Sequence, residues 1–285
     1  MASQPTSSKP RTVVITGASR GLGRASAIYL HSRGWHVVPT MRNLDGLDDL
    51  RKAIGVSRDD SRLTGISLDL NDNASIETAA KAILTEVGVP DAVVHNAGVA
   101  AVGSAEEMTP ESLNQVFSTN FFGPVQLTRE LLPAMRAAGK GRVIVVSSLG
   151  ALRGLPATSS YSAAKAALER WAESLAYEVG PSGVGVSILV TGTYATDIIQ
   201  ESGIIDSMQR GGVYENLYSA MELMGERARK IAAPPERFAR YLETALNDRG
   251  HFSRHSAGRD AVAMRIMNRL PEGLGQFVMR RVLGI

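Results

Sequence analysis

Between Ser147 and Lys165 the chain carries a serine, a tyrosine and a lysine at spacings that suit proton transfer coupled to hydride transfer. Tyr161 and Lys165 are four residues apart at the start of a helical pattern that runs through Ala164, Leu168, Trp171, Ala172 and Leu175. Both side chains therefore leave the same helix face. A free tyrosine keeps its proton to about pH 10, and a nearby lysine ammonium favours the phenolate, so Lys165 is expected to lower the pKa of Tyr161 into a range useful for general acid/base work. Ser148 ends a strand-like run, Arg142 to Val146, and its hydroxyl suits holding the oxygen of a carbonyl or alcohol while charge develops there. Ser147 is expected to point to the opposite face. In a chain with seven tyrosines the Tyr-x-x-x-Lys pair alone is a weak signal, and its weight comes from the segments around it.

Those segments alternate between strand and helix patterns. Thr12 to Thr16 is a short β-branched run leading into Thr16-Gly17-Ala18-Ser19-Arg20-Gly21-Leu22-Gly23, after which Leu22 to Arg33 reads as a helix. Strand, glycine turn and helix make a nucleotide-binding unit: the glycines let the backbone approach a pyrophosphate, and the helix N-terminus offers it unpaired N–H groups. The second strand, His36 to Met41, ends where an acidic residue would bind the 2′-hydroxyl of NAD. That position is Met41, and Arg42 beside it with Arg20 in the glycine turn offers two guanidinium groups to a 2′-phosphate, so NADP is favoured over NAD. Leu63 to Leu68 reads as a third strand and Ala92 to Val94 as a fourth, running into His95-Asn96-Ala97-Gly98. Thr109 to Ala138 reads as one long helix with Thr109 as N-cap, kinked at Gly123-Pro124; Asn120 interrupts its apolar face. Gly185 to Val190 is the sixth strand. The alternation predicts an α/β fold, a single doubly wound, Rossmann-type parallel sheet of about seven strands with helices on both faces.

In order and spacing, the glycine turn, the Asn96-Ala97-Gly98 segment, Ser148 and the Tyr161/Lys165 pair resemble the short-chain dehydrogenase/reductase family over residues 11–258, with Gly154 to Val179 most like hydroxysteroid and retinol dehydrogenases. The resemblance implies that Gly17, Ser19, Arg20, Gly21, Leu22 and Gly23 hold the cofactor, that Asp69 and Leu70 contact its adenine, and that Asn96, Ala97 and Gly98 flank it. It implies that Ser148, Tyr161 and Lys165 are catalytic, that Lys165 also orients the cofactor ribose, and that Asn120 holds a water linking the lysine to solvent. It places Gly192, Tyr194 and Thr196 at the nicotinamide amide and a phosphate, although Thr191 replaces the family's proline there. His95 stands where the family usually has asparagine, and reads as a hydrogen-bonding residue of the sheet rather than a proton carrier. The alternative reading of Asp69 is a turn cap.

Composition bounds the rest. With 285 residues, 44% of them hydrophobic, the chain can bury a full core. It has no cysteine, which excludes disulfides and thiolate metal sites, and five scattered histidines do not build a metal site either. No apolar stretch reaches membrane length, and the reading is a soluble cytoplasmic protein. The net charge of +3 is a property of the tail, since 249–285 holds seven arginines against two acids; without a reading motif, nucleic-acid binding is not expected. Residues 1–10 read as a flexible N-terminus, 11–258 as the NADP-binding catalytic domain and 259–285 as a helical extension. Apolar residues between Asp197 and Gly225, including Ile198, Ile199, Met208, Tyr218 and Met221, serve either as cover for a bulky apolar alcohol or ketone or as ordinary core contacts. Apolar positions around both long helices predict a homodimer or homotetramer. The expected reaction is NADP-linked interconversion of a secondary alcohol and a ketone. Two other readings stay open: a β-ketoacyl thioester reductase, separable by its substrate, and a catalytically silent NADP-binding sensor or scaffold, which would bind NADPH and turn over nothing.

Overall fold

The computed structural model describes residues 9–196 and 204–283; Ile198 and Ile199 lie outside the described residues. In chain order the elements are β1 Thr12–Thr16, α1 Gly21–Ser32, β2 His36–Met41, α2 Gly46–Ile54, β3 Ile66–Ser67, α3 Asn73–Ala82, β4 Ala92–His95, β5 Ala100–Val102, α4 Pro110–Phe117 and α5 Gly123–Ala137. They continue with β6 Gly141–Ser148, α6 Leu149–Leu152, α7 Ser159–Val179, β7 Val184–Thr191, β8 Ile204–Asp206, α8 Glu215–Ile231, α9 Pro235–Leu246, β9 Phe252–Ala257, α10 Arg259–Met267 and α11 Glu272–Leu283. Seven strands form one parallel sheet in the order β3-β2-β1-β4-β6-β7-β9. From β1 the chain builds outward first through β2 and β3, then returns to β4 and proceeds the other way. A crevice is therefore expected between β1 and β4 at the carboxyl ends of the strands, where α1 also begins.

The strands are buried on both faces, which is why they read as continuous β-branched runs rather than alternating ones. Val14, Val38, Val93, Val143 and Val145 face α3, α5 and α7. Their neighbours Val13, Ile15, Val37, Val94 and Ile144 face α1, α2 and α9. Two apolar layers thus hold the sheet, one on each side.

Two elements differ from the sequence reading. The third strand is only Ile66–Ser67, with Leu63 touching Val37 in an isolated bridge; between them Gly65 packs on Leu47, where a Cβ would lie 2.4 Å from Leu47 Cδ2. The long helix predicted from Thr109 is two helices joined by a π-type turn, Ser118–Phe122. Thr109 does cap the first, its Oγ1 accepting from the Ser112 N–H at 3.1 Å. Pro124 has no N–H, so the donor that a regular helix would supply to the Asn120 carbonyl is missing at that point.

Many apolar residues assigned to a subunit interface are used within the chain: Val116, Leu127, Leu131, Leu168 and Leu175 are buried. Leu113, Phe122 and Tyr177 remain exposed. The C-terminal helices pack on their own chain, α10 against β9 and α6, α11 against α8. Among the described residues, no helix is long and apolar enough to cross a membrane.

Gly123 sits where the π-type turn meets the loop after β3, and a Cβ there would lie 2.4 Å from the Leu70 carbonyl oxygen. Gly123→Ala is expected to lower the unfolding free energy by about 1–3 kcal/mol, the usual cost of overpacking. Urea denaturation measures it, and an unchanged midpoint would show that the backbone there yields.

Candidate active site

An open cleft of about 290 Å³ lies at the switch in strand order. Gly17, Ser19, Arg20, Gly21 and Leu22 line one side, Arg42, Asp69 and Leu70 a second, and Asn96, Ala97, Gly98, Tyr161 and Lys165 a third. The glycine turn is built for close approach. Gly17 and Gly21 have φ of +67° and +56°, a left-handed conformation open chiefly to glycine. A Cβ on Gly17 would lie 2.9 Å from Ala97 Cα, and one on Gly23 would lie 2.4 Å from the Gly17 carbonyl oxygen. Helix α1 starts beside the cleft with no acidic residue in its first turn, so its N–H groups and positive dipole end suit an anion. Met41 is buried and uncharged, whereas Arg42 is exposed.

Asn96 supports this turn more than it faces a ligand: its amide donates to the Thr16 and Gly17 carbonyls at 2.9 and 3.3 Å. Thr16 returns the bond, its Oγ1 accepting from the Asn96 and Ala97 N–H groups at 3.0 Å each. Asp69 lines the cleft and also caps a turn, Oδ1 accepting from the Asn71 N–H at 2.9 Å. The turn cap is thus present at the rim of the cleft.

On the other side, strand β6 and helix α7 bring the chemical groups together. Lys165 is buried, and its Nζ donates to the Val146 carbonyl at 3.0 Å. Gly98 lies over it, so close that a Cβ would stand 3.4 Å from Nζ and 3.0 Å from Asn120 Oδ1. Ser148 acts on the Tyr161 hydroxyl and accepts from the Gly150 N–H at 3.3 Å. Burial pulls the Lys165 ammonium down to about 8, with the Glu169 carboxylate acting in the opposite direction. Burial also holds the Tyr161 pKa above its ordinary value, and the Ser148 hydroxyl only partly counters this. The expected lowering of Tyr161 by Lys165 is therefore not met: Nζ is 6.0 Å from the centre of the tyrosine ring, and desolvation outweighs it.

Asn120 is fully buried, and both ends of its side-chain amide are held by one residue, Oδ1 accepting from the Val99 N–H at 2.9 Å and Nδ2 donating to the Val99 carbonyl at 2.7 Å. His95 stays in the sheet layer, as read: its ring nitrogen Nε2 lies 2.7 Å from Thr128 Oγ1, which donates onward to the Pro124 carbonyl. That arrangement makes Nε2 the protonated nitrogen. Burial, then the Lys165 charge, pushes His95 down to about 3, so it is neutral at physiological pH.

Gly192, Tyr194 and Thr196 do not line the cleft with the others. Tyr194 is turned into the core, its ring edge-on to Phe238 with centroids 5.8 Å apart. Thr196 lies against the glycine turn, 3.6 Å from where a Gly21 Cβ would be. Ser147 faces away from Ser148, as expected, and donates to Glu169 Oε1 at 2.6 Å. The sequence reading missed Asn71 and Thr119, which line the cleft and are joined by a 2.8 Å bond across two distant segments. It also missed Thr16 as a lining residue, although a threonine closing β1 just before Gly17 was a signal for it.

A family model described as short chain dehydrogenase matches residues 11–204. Over 196 residues the chain is 32% identical to a 3-ketodihydrosphingosine reductase of Bacteroides thetaiotaomicron, which covers 69% of this chain and 68% of that protein. It is 35% identical over 191 residues to human retinol dehydrogenase 8, covering 66% of this chain and 60% of the human protein's length. A solved structure of a short-chain dehydrogenase from Streptomyces avermitilis is 32% identical, with 98% of both chains covered and a TM-score of 0.82.

The buried lysine gives a test in stability. Its pKa is about 8 in the fold against 10.5 as its ordinary value, so the unfolded chain binds the proton more tightly and stability rises with pH between those values. Below pH 8 the full penalty, about 3 kcal/mol, is present. Lys165→Met should therefore be more stable than the wild type at pH 7, by up to about 3 kcal/mol, with the gain fading as the pH nears 10.5. Denaturation at pH 7 and pH 10 measures the difference; equal stability at both would show that the ammonium is not desolvated.

Proposed function

This chain belongs to the short-chain dehydrogenase/reductase family, oxidoreductases that use nicotinamide cofactors, and we propose that within it the protein interconverts a secondary alcohol and a ketone with NADP(H). The observation that carries the proposal is the meeting, in one cleft, of Tyr161 and Lys165 with a close-packed glycine turn; Ser148 precedes α6 and acts on the Tyr161 hydroxyl. The residues fit the cofactor: Gly17 to Gly23 and the start of α1 would hold its pyrophosphate, and Arg20 and Arg42 its 2′-phosphate. Bound NADP(H) supplies or accepts the hydride.

In the reduction direction Tyr161 gives its proton to the carbonyl oxygen. Its raised pKa keeps that proton in place at neutral pH, so the free enzyme is poised as a donor. Ser148 steadies the same oxygen as negative charge develops. Lys165, anchored by Val146, orients the ribose hydroxyls and passes a proton between Tyr161 and solvent. Asn120 takes part through its main-chain carbonyl, its side chain being held by Val99.

For the substrate we read a bulky apolar alcohol or ketone, supported by the two relatives named for 3-ketodihydrosphingosine and retinol. Exposed Leu113, Phe122 and Tyr177 support a homodimer or homotetramer. A cysteine-free composition supports a cytoplasmic setting.

Two measurements test this reading. A panel of apolar ketones followed by NADPH absorbance should find turnover, and Tyr161→Phe should abolish it while leaving NADPH affinity nearly unchanged, since only the transferable proton is lost. Activity above a few per cent in that variant would remove Tyr161 from its role. NADPH should bind more tightly than NADH by about 1–3 kcal/mol, the scale of charge-assisted hydrogen bonds to a phosphate. Equal dissociation constants by titration would refute the arginine pair.

A further inference from the structure

The loop leaving β7 has lost the proline that would stiffen it, yet its backbone is tied down at successive residues. Thr191 Oγ1 donates to the Ser147 carbonyl at 2.6 Å, fastening the loop's first residue to β6. The Gly192 N–H donates to the Ala257 carbonyl at 2.8 Å. The Thr193 N–H donates to Asp260 Oδ2 at 2.5 Å. Beyond that, the Thr193 carbonyl accepts from the Ala233 N–H at 3.1 Å and the Ala195 N–H donates to the Ala233 carbonyl at 2.9 Å. The loop then reaches Thr196, against Gly21 in the glycine turn.

The Asp260 carboxylate is the one charged side chain in this series, and the backbone around it is shaped to receive it. A Cβ on Gly192 would lie 1.8 Å from its Oδ1, and one on Gly258, itself at φ +119°, would lie 2.6 Å from the same oxygen. No side chain fits at either position. Oδ1 also accepts from the Ala261 N–H at 3.0 Å, in the first turn of α10, where the helix dipole favours a negative charge. One carboxylate thus joins the start of α10 to the loop that passes under the phosphate-binding turn. It lies outside residues 11–204, the part of the chain that the family model matches.

We propose that Asp260 is a positioning residue for cofactor binding: it holds the loop 191–196 against the glycine turn and supplies the rigidity that a proline at position 191 would otherwise give. This rests on the reading that the cleft binds NADP(H). The C-terminal extension then serves the cofactor site directly, through a main-chain hydrogen bond to a charged acceptor. Bonds of that kind change equilibria by about tenfold or more when the acceptor is removed.

The test compares Asp260→Ala, Asp260→Asn, Gly192→Ala and the double variant Asp260→Ala/Gly192→Ala by NADPH titration, thermal unfolding and steady-state kinetics. Asp260→Ala is expected to raise the NADPH Kd and KM about tenfold, with kcat at saturating NADPH within about twofold of wild type. Asp260→Asn keeps an oxygen for the Thr193 N–H and should restore affinity to within about threefold. Gly192→Ala should weaken NADPH binding in the wild-type background but add little once Asp260 is gone, because the atoms its methyl group strikes are then absent. A folded Asp260→Ala with wild-type Kd and a lowered Tm would overturn the proposal and leave Asp260 as a helix-end residue. Should that variant not fold, Gly192→Ala with wild-type NADPH affinity would overturn it equally. A wild-type protein that binds no nicotinamide nucleotide would remove the functional reading and this inference with it.

Discussion

The candidate site depends on keeping one lysine ammonium out of water. Lys165 is 4% exposed, and the groups that make this tolerable are the Val146 carbonyl below it and the Glu169 carboxylate one helical turn further along α7. Its position dictates much of its neighbourhood. Gly98 packs beside it, where a Cβ would crowd Asn120 Oδ1 at 3.0 Å, and Val99 holds the Asn120 amide at both ends. Glu169 in turn is held by Ser147 and by Arg254 from β9, at 2.6 Å each, so the edge of the sheet helps to fix the charge behind the lysine. Removing Ser147 or Arg254 would leave the buried Glu169 carboxylate short of a partner, which ties these residues to one another.

The sheet order explains why these groups meet an open cleft at all. Because β1 and β4 are neighbours while their helices lie on opposite faces, the loops after them diverge and leave a crevice between the glycine turn and Asn96. Thr16 and Asn96 stitch its two lips together with four hydrogen bonds. On the next strand, β6, Ser148 leads directly into α6, and α7 carries Tyr161 back to it. The cleft and the Ser148, Tyr161 and Lys165 side chains are consequently parts of one continuous sheet edge.

Much of this was legible in the sequence because parallel strands write themselves as short β-branched runs and glycine turns need glycines. The glycine turn, the strand order class and the Ser148, Tyr161 and Lys165 set are of that kind. What escaped were effects of distant partners. Nothing local in Leu63–Leu68 shows that Leu47 presses on Gly65, and nothing local in Asn120 shows that Val99 takes its amide. Tyr194 reads as a loop residue beside a cofactor, yet Phe238, 44 positions later, draws its ring into the core. The sign of the Tyr161 shift was also out of reach, since it is set by how deeply the hydroxyl is buried rather than by its spacing from Lys165.

The central claim is that hydride passes to the substrate's carbonyl carbon in this cleft while the adjacent oxygen takes a proton. The most direct measurement reduces an apolar ketone with NADPH carrying deuterium at the transferable position and examines the alcohol formed. The account predicts one deuterium on the carbinol carbon and none elsewhere. An enzyme saturated with NADPH that forms no alcohol from any apolar ketone or ketoacyl thioester, or an alcohol without deuterium at that carbon, would contradict it.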